Sequence, residues 1–275
     1  MNKLSRVRLA AGLAICGLAV LMGCATAPAP DAPAQSPADF PSGYLGAGAP
    51  DERIFLPPPP ADPSIAGRAD LAIFKSTRVL AGTARWDMAA HDASVSPQDL
   101  LADFGCAFGA TLTTSDTPAL SRLSARTMSD AVRIVGSAKD RYQRARPFLR
   151  AKGPICIATD DLGRSGSYPS GHATVGWLYG MILAELVPDH ASEVLARGRA
   201  YGESRVVCGV HYQSDVEAGR TTAAALFAAL HSSQAFQTDM IAAGAELSAL
   251  QAAKTGSVDP KACEAENAEL FKSPW

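Results

Sequence analysis

The sequence of 275 residues has almost no strand signal. No alternating run of Val, Thr and aromatic residues extends beyond a few positions, which disfavours a sheet-based domain. The sequence also lacks an excess of either charge, because 25 basic and 27 acidic residues give a formal net charge of −2. A near-neutral chain offers no electrostatic reason to expect nucleic acid as a partner. A globular, mainly helical protein is therefore expected.

Long apolar runs are also missing from the body of the chain. The stretches 176–187 and 223–230 are shorter than the roughly 20 apolar residues of a membrane-spanning helix, so they fit buried core helices. No set of His, Cys or carboxylate residues has the spacing of a metal site, and we predict neither a metal nor another cofactor. We find no internal repeat of solenoid length.

One apolar run, residues 9–22, lies near the amino terminus and has the length of a signal-peptide core. Three basic residues precede it: Lys3, Arg6 and Arg8. The run ends before Gly-Cys24 and resembles a bacterial lipoprotein box, with cleavage before Cys24 and a lipid on its thiol. Met22 is unusual in such a box, so ordinary cleavage after Ala25 or Ala27 is one alternative. A cysteine that merely ends the run is the other.

We therefore predict that residues 1–23 are a lipoprotein-type signal peptide and that the protein is exported to the periplasm. Attachment to the membrane is expected only through the lipid at Cys24. Residues 24–52 contain much Ala, Pro, Gly and Ser, which indicates a flexible tether. The run Pro57–Pro60 must be extended, and it either wraps the domain or ends the tether. The folded domain is predicted over residues 53–275.

Helical patterns dominate this domain. Segments rich in Ala, Leu, Arg and Glu, several with capping or proline signals at their ends, predict helices. They lie near 67–82, 97–104, 117–149, 172–187, 190–207, 211–232 and 234–254. We expect an all-α, single-domain bundle of antiparallel helices with its site between them.

Three short clusters in the second half of the chain supply the reactive side chains. The first is Lys139-x6-Arg146-Pro147. Seven residues are close to two helical turns, so both cations are expected on one helix face, and Pro147 helps to end the helix. Alone, this pair would be interpreted as a solvated basic face, because three more arginines are near. They are Arg141, Arg144 and Arg150.

The second cluster, Pro169-Ser170-Gly171-His172, predicts a turn that opens a helix. Ser170 suits the N-cap, and Gly171 lets the backbone approach a ligand closely. Amide groups at a helix start bind anions, and His172 in the first turn would face the same anion. A lone histidine at such a position would more often be structural.

The third cluster is Ser204-Arg205-x5-His211-x3-Asp215. Gly209 is expected to break the helix that contains Arg205, and His211 to open the next one. Asp215 then lies one turn further along the same face. A carboxylate at that spacing can accept a hydrogen bond from one imidazole nitrogen and leave the other free as a nucleophile. The alternative is a surface pair of little energetic worth, which the neighbouring arginine and second histidine make less convincing.

The three clusters together resemble the signature of the PAP2 superfamily of acid phosphatases and vanadium-dependent haloperoxidases, at every position. Four segments, 56–60, 116–118, 166–172 and 202–209, further resemble the bacterial class A non-specific acid phosphatases. This resemblance covers roughly residues 54–250. Two features depart from it, the lipoprotein-like leader and Tyr212, where the family usually has tryptophan.

The resemblance implies a PAP2-type helical bundle that hydrolyses phosphate monoesters, nucleotides and sugar phosphates included, without a metal. His211 would attack phosphorus, with Asp215 orienting its ring, and His172 would protonate the leaving alcohol and then activate water. The other site residues would neutralise charge on the phosphoryl oxygens: Lys139, Arg146, Ser170, Gly171 and Arg205. Transfer of phosphate to other alcohols and a homodimer are further implications. A neutral His211 beside a protonated His172 predicts a bell-shaped pH profile with an acidic to near-neutral optimum.

Four cysteines remain once the signal peptide and Cys24 are set aside. Their spacing fits no zinc site, and export places them in an oxidising compartment, so two disulfides are predicted. Three connectivities exist. We favour Cys156–Cys208, because both lie close in sequence to clusters that must meet, and this leaves Cys106–Cys263. Free buried thiols are the alternative.

Three other functions are compatible with parts of this pattern. A haloperoxidase would hold vanadate on His211 in the same pocket, but the wider class A resemblance favours a phosphatase. A lipid phosphate phosphatase would place its motifs among spanning helices, which are missing here. A non-catalytic envelope lipoprotein would typically have lost a site residue. The expected partners are thus small phosphomonoesters, and the remaining histidines are assigned structural roles: His91, His190 and His231.

Overall fold

The helices of the protein begin where the sequence supplies capping side chains. The computed structural model describes residues 41–160, 162–254 and 256–275, and within these ranges the chain forms helices and turns but no strand. In seven of these helices a Ser, Thr or Asp side chain accepts a hydrogen bond from a first-turn amide, which a helix start otherwise leaves unpaired. The all-α expectation is confirmed.

Most of the helices follow one another with short connections. Their bounds are α1 Glu52–Phe55, α2 Ile65–Thr77, α3 Ala84–His91, α4 Pro97–Asp103, α5 Gly105–Phe108, α6 Pro118–Tyr142, α7 Gly171–Leu186, α8 Ala191–Val207, α9 Gln213–Leu230, α10 Gln234–Ala253 and α11 Pro260–Leu270. The longest connection, residues 143–170, joins α6 to α7.

The longest predicted helix, 117–149, is shorter in the structure. Helix α6 ends before Gln143, which has a left-handed backbone conformation with φ of 43°. Arg146 lies beyond the helix with φ of −69° and ψ of 152°, an extended conformation that the following proline favours. The expectation that Lys139 and Arg146 project from one helix face is therefore wrong, because only Lys139 belongs to α6.

Helices α7 and α8 approach each other closely through glycine. A Cβ on Gly198 of α8 would lie 2.7 Å from the carbonyl oxygen of Gly176 of α7, and a Cβ on Gly176 would lie 2.6 Å from the ring of Tyr201. Glycine inside a helix costs about 0.5–1 kcal/mol relative to alanine, and the close packing of the two backbones offsets that cost. The contact fixes the helix that begins at the second cluster against the helix that contains Arg205.

The main hydrophobic core joins α6 and α7 to α9 and α10. Buried residues from each of these helices contribute to it: Leu123, Ile134, Ile182, Leu183, Leu226, Phe236 and Leu247. Since α7 and α9 also begin next to the second and third clusters, core packing fixes the two helix starts relative to each other. Burial of apolar surface at about 25 cal/mol per Å² thus stabilises the framework of the site as well as the fold.

The segment 41–56 runs along α6. The Tyr44 amide donates a 2.7 Å hydrogen bond to Oδ2 of Asp130, and Oγ of Ser137 donates a 2.8 Å hydrogen bond to Oε1 of Glu52. Contacts with the helical domain therefore begin before residue 53, where the sequence places the domain boundary.

Two of the sequence predictions concern residues outside the described ranges. They are the signal peptide over residues 1–23, with the lipid site at Cys24, and the tether over its first part, residues 24–40. Within the described ranges, none of the helices combines the length and the apolar character that a membrane crossing requires.

Two disulfides hold the ends of helices and loops together. Cys106 of α5 is bonded to Cys263 of α11, and Cys156 is bonded to Cys208, the residue that ends α8. The Cys156 amide also donates a 3.2 Å hydrogen bond to the Cys208 carbonyl. The second disulfide therefore attaches the loop before α7 to the end of the helix that contains Arg205.

Candidate active site

The three sequence clusters meet where α8 ends and α7 and α9 begin. Nη1 of Arg146 donates a 3.0 Å hydrogen bond to the Val210 carbonyl, which joins the first cluster to the third. The Ser170 amide donates a 2.9 Å hydrogen bond to the Asp215 carbonyl, which joins the second to the third. The structure brings the predicted catalytic and phosphate-binding residues into this region: Lys139, Arg146, Ser170, Gly171, His172, Arg205, His211 and Asp215.

His211 lies just before α9 rather than inside it. Tyr212 is the N-cap residue, and its amide donates a 2.9 Å hydrogen bond to Oδ2 of Asp215. The same oxygen lies 3.2 Å from Nδ1 of His211. The four-residue spacing therefore joins the pair across a helix start. The sequence analysis instead expects both residues on one face of the same helix. Gly209, with φ of 84°, permits the short link between α8 and His211.

The two ring nitrogens of His211 have different partners, which determines the tautomer. A carboxylate only accepts hydrogen bonds, so Nδ1 holds the proton and donates it to Asp215. A guanidinium only donates, so Nε2, which lies 3.2 Å from Nη1 of Arg146, presents its lone pair. His211 is 2% exposed. It is therefore a buried imidazole with a lone pair directed at a cation, the form that a nucleophile requires.

Lys139 and Arg146 contact the loop that precedes α7. Nε of Arg146 donates to the carbonyls of Leu162 and Ser165 at 2.8 Å and 3.1 Å, and Nζ of Lys139 donates to the Gly166 carbonyl at 2.6 Å. These hydrogen bonds hold the loop against the cations. The loop therefore forms part of the wall of the site.

Arg205 supplies hydrogen-bond donors that the protein does not use. Its side chain is buried, and within the described residues its Nε and Nη1 have no hydrogen-bond partner. A buried donor without a partner is costly and rare in native structures. An oxyanion is the natural partner of such a guanidinium, because each of its oxygens accepts charge-assisted hydrogen bonds.

Ser204, the other specified residue of the third cluster, faces away from Arg205 into a buried polar network. Its hydroxyl lies 2.5 Å from Oδ2 of Asp92 and accepts a 2.9 Å hydrogen bond from Nη1 of Arg85. The serine of this motif is therefore structural, and Arg205 is the residue that faces the site.

The second cluster forms the start of α7 as the sequence predicts. Ser170 is the N-cap, and its Oγ accepts a hydrogen bond from the Ala173 amide, which leaves the hydroxyl proton available to a ligand. Gly171 is the first helical residue. A Cβ on Gly171 would lie 3.7 Å from Val135, an ordinary contact, so packing against this neighbour does not require glycine. The helix dipole and the free amides of the first turn favour an anion at this position.

His172 is held by a neutral acceptor. Its Nε2 lies 2.9 Å from the Ala93 carbonyl, and a carbonyl only accepts, so Nε2 holds a proton in both charge states. Its ring stacks on Tyr201, with 6.1 Å between centroids. Nδ1 is therefore the nitrogen of His172 that gains and loses a proton.

Burial and the crowding of cations change the protonation of the site. Burial, with repulsion from Arg146 and Arg205, lowers the pKa of Lys139 to about 7. Burial also holds the pKa values of His172 and His211 well below 6.5. Repulsion from Arg205 adds to this effect at His172, and repulsion from Arg146 adds to it at His211. The site without ligand is therefore short of negative charge, and a bound dianion would favour protonation of Lys139 and His172.

Arg144 also belongs to the site, although the sequence analysis names it only as one of three arginines near the first cluster. Its Nη1 lies 2.5 Å from Oδ1 of Asp215, and its Nη2 lies 2.7 Å from Oδ2 of Asp70. Asp70 and Ala93 were also missed. The three residues lie far in sequence from their partners, 71 residues in the case of Arg144 and Asp215, and only the position of Arg144 two residues before Arg146 hints at its role.

The arrangement can bind a tetrahedral oxyanion and act on it. Its cations and amide groups can stabilise the negative charge of the oxyanion. The imidazole of His211 presents a lone pair, and that of His172, in the second cluster, can donate a proton. Among the described residues, no three or more His, Cys, Asp or Glu side chains are grouped so as to hold a metal ion.

Known proteins are similar to this chain over most of its length. The family model of the PAP2 superfamily matches residues 120–239. An acid phosphatase of Zymomonas mobilis is 43% identical over 199 residues, 72% of this chain and 75% of that protein. A non-specific acid phosphatase of Providencia stuartii is 38% identical over 204 residues, 73% of this chain and 82% of that protein.

Two further proteins are similar to this chain. A non-specific acid phosphatase of Salmonella typhimurium is 36% identical over 200 residues, 72% of this chain and 80% of that protein. The crystal structure of the first bacterial vanadium-dependent iodoperoxidase has a TM-score of 0.49 and 16% identity, and the match covers 65% of this chain and 52% of that chain. From the sequence relatives it follows that the chain belongs to the bacterial non-specific acid phosphatases of the PAP2 superfamily.

Proposed function

We propose that this acid phosphatase hydrolyses phosphate monoesters without a metal ion, through a phosphohistidine at His211. The observation that supports this most directly is the orientation of His211. Its Nδ1 faces Asp215 at 3.2 Å, while Nε2 presents a lone pair to the cation cluster. A phosphoryl group bound to those cations would have its phosphorus next to the lone pair.

In the first step, Nε2 of His211 attacks phosphorus and the bond from phosphorus to the ester oxygen breaks. Nδ1 of His172 gives its proton to that oxygen, and the alcohol leaves. The ring of His211 then bears a positive charge, which the carboxylate of Asp215 stabilises through the Nδ1 proton. The electron pair of the broken bond leaves with the alcohol.

In the second step, His172 is neutral and accepts a proton from water. The water oxygen attacks phosphorus, the bond between Nε2 and phosphorus breaks, and phosphate leaves. This step restores His172 to its protonated form and His211 to its neutral form. The same residue thus acts as an acid and then as a base, as reversal of the first step requires.

The cations stabilise the charge that spreads over the three equatorial oxygens. Arg205 is the strongest candidate, because two of its buried nitrogens have no partner among the described residues. Arg146 and Lys139 lie next to His211, and the hydroxyl of Ser170 and the amide of Gly171 add neutral donors. Such preorganised donors supply the largest share of catalysis in phosphoryl transfer.

The same mechanism would allow a broad substrate range. Every group assigned above contacts the phosphoryl half of the substrate, so nucleotides, sugar phosphates and other monoesters would share it. An alcohol in place of water in the second step would accept the phosphoryl group, which makes the enzyme a phosphotransferase as well.

The location of the protein is also a proposal. The basic, apolar start of the sequence and its Gly-Cys24 junction support export, a lipid at Cys24 and a tether to the membrane at the periplasmic side. The two disulfides agree with an oxidising compartment. The resemblance to class A enzymes supports a homodimer.

Replacement of the nucleophile tests the mechanism. We expect His211→Ala to lower kcat for p-nitrophenyl phosphate by about 10³-fold or more, because the variant lacks the imidazole lone pair that faces the cations. Rapid acid-free quenching with ³²P-labelled substrate should trap a labelled wild-type protein that is stable in alkali and labile in acid. The variant should not be labelled.

His231→Ala is the matched control, since His231 is paired with Glu185 at the other end of α9. It should retain wild-type activity and labelling. Activity of His211→Ala near the wild-type level, or label at another residue, would contradict the assignment of His211 as the nucleophile. Wild-type activity is measured with and without a chelator, and its loss on chelation would contradict the metal-free reaction.

A further inference from the structure

We propose that Arg144 is a positioning residue for phosphoryl transfer, which acts through Asp215 to keep His211 in its nucleophilic tautomer. This rests on the proposed role of His211. Nη1 of Arg144 lies 2.5 Å from Oδ1 of Asp215, on the oxygen that His211 does not use. Arg144 therefore contacts the group that orients the nucleophile.

The two oxygens of Asp215 have separate partners. Oδ1 accepts from Arg144, whereas Oδ2 accepts from the Tyr212 amide at 2.9 Å and lies 3.2 Å from Nδ1 of His211. A carboxylate held at both oxygens has a fixed plane. The hydrogen bond to Nδ1 therefore has a fixed direction, which fixes the ring of His211 in turn.

Arg144 is itself held from several sides. Its Nη2 donates to Oδ2 of Asp70 on α2 at 2.7 Å, and its Nη1 donates to Oγ of Ser214 at 2.7 Å. Ser214 also donates to Asp70 through its amide at 3.0 Å and through its hydroxyl at 2.5 Å. The guanidinium carbon lies 4.2 Å from the centre of the Tyr212 ring. The residue is thus built into a network and does not belong to the solvated face.

The charge of Arg144 matters because Asp215 is fully buried. Burial raises the pKa of Asp215, and the guanidinium of Arg144 is the first influence that opposes the rise. Several titratable groups face this carboxylate or its hydrogen-bond partners: Arg144, Lys139, Arg146, His211, Tyr168, Tyr212 and, through Arg144, Asp70. Arg144 is the cation among them that contacts it directly.

Loss of this cation would change the tautomer of His211. A protonated Asp215 donates a hydrogen bond instead of accepting one, so Nδ1 would have to present its lone pair. The single proton of neutral His211 would then lie on Nε2, and Nε2 could not attack phosphorus. Arg144 thus protects the reactive form of the nucleophile against acid, in an enzyme that works in acid.

The experiment compares Arg144→Gln with Arg144→Lys and with the control Arg141→Gln, a neighbouring arginine that is exposed. We expect Arg144→Gln to lower kcat by about 10²-fold, less than the roughly 10⁴-fold that a wrong tautomer costs a Ser-His-Asp triad. The acid limb of its kcat–pH profile should move to higher pH. The inhibition constant of inorganic phosphate should change less than about 3-fold, because Arg144 does not contact the anion.

Arg144→Lys keeps the charge but not the forked geometry. Its acid limb should stay close to that of the wild type, with a smaller loss of kcat. Arg141→Gln should have wild-type behaviour throughout. If Arg144→Gln does not fold, as judged by circular dichroism, Arg144→Lys alone tests the proposal. A purely structural role would lower the amount of folded protein, whereas the proposed role lowers kcat per folded molecule and leaves the acid limb in place.

A double-mutant cycle with Asp215→Asn separates this proposal from the proposed function. In that background Arg144→Gln should cost less than about 3-fold, because the group through which it acts is gone. An equal cost in both backgrounds, or an acid limb that does not move, would overturn the role of Arg144. Neither result would affect the nucleophile assignment, which depends on labelling of His211.

Discussion

The two histidines of the site are supported in different ways. His211 is paired with a buried carboxylate, Asp215, whereas His172 is bonded to the neutral Ala93 carbonyl. A nucleophile that bears a positive charge in its intermediate benefits from a permanent negative charge behind it. An acid that must release its proton in every cycle is better held by a neutral acceptor, which orients the ring without retaining the proton.

Each support rests on a buried pair of arginine and aspartate, but at a different distance from the ring. Arg144 contacts Asp215 directly. Behind His172, Arg197 contacts Asp92, whose neighbour in the chain supplies the Ala93 carbonyl. A charge next to a ring can change its chemistry, while a charge one residue further away mainly holds the backbone. The comparison predicts that the first network controls activity and the second controls stability.

The largest expected effect separates the two histidines by leaving group. His172→Ala should lower kcat/KM, to which hydrolysis of the shared phosphohistidine does not contribute, by about 10²–10⁴-fold for an alkyl phosphate such as glycerol phosphate, because the alkoxide then leaves without a proton. The loss should be much smaller for p-nitrophenyl phosphate, whose leaving group needs no acid. His211→Ala should be equally impaired on both substrates. An equal loss for His172→Ala on both substrates would contradict its role as the acid.

Removal of the second network should mainly affect stability. Arg197 is 1% exposed, and its replacement by Met removes the guanidinium that contacts the buried carboxylates of Asp92 and Asp103. Asp103 keeps its contact with His91, whereas Asp92 loses its ion pair. We expect a loss of about 3–5 kcal/mol in the free energy of unfolding, measured by urea denaturation. The matched control is Arg199→Met on the same helix, which should cost less than about 1 kcal/mol, since Glu203 keeps its contact with Arg220.

The activity of the folded Arg197→Met variant is the second measurement in this test. Its kcat should lie within a few-fold of the wild type at a temperature where the variant is folded. A variant of normal stability with a 10²-fold loss of kcat would show that the network behind His172 has the same function as that behind His211, and the comparison would fail.

The sequence predicts the site better than it predicts what surrounds the site. Spacing of His211 and Asp215 suffices to pair them, because four residues can only span a short distance at a helix start. The same spacing argument fails for Lys139 and Arg146, since Gln143 ends α6 in a left-handed conformation that no local pattern announces. Four of the described helices lie outside the predicted segments: α1 and α5, which have four residues each, and α3 and α11, in which the apolar periodicity is weak.

Contacts between residues far apart in sequence explain why the residues that support the site could not be predicted. Arg144 resembles its neighbours Arg141 and Arg150 in sequence, and only the fold places it between Asp70 and Asp215. The Ala93 carbonyl cannot be recognised from sequence at all, because every residue has one. Site residues that act through their own side chains form motifs, whereas those that support them are chosen by packing.

The smallest expected effect concerns the pH at which His172 loses its proton. In the free enzyme, burial and then the charge of Arg205 hold the pKa of His172 below 6.5. A bound phosphate dianion opposes that charge and should raise it. The acid works only when protonated, so the basic limb of the pH profile reports this pKa. For kcat, which reports the substrate complex, the limb should lie about one pH unit higher than for kcat/KM, which reports the free enzyme.

Measurement with p-nitrophenyl phosphate requires correction of kcat/KM for the second ionisation of the substrate, and an alkyl phosphate, which needs the acid more, should separate the limbs more clearly. Coincident limbs would mean that the anion does not reach His172, and the neutral support of this ring would then have no part in proton transfer.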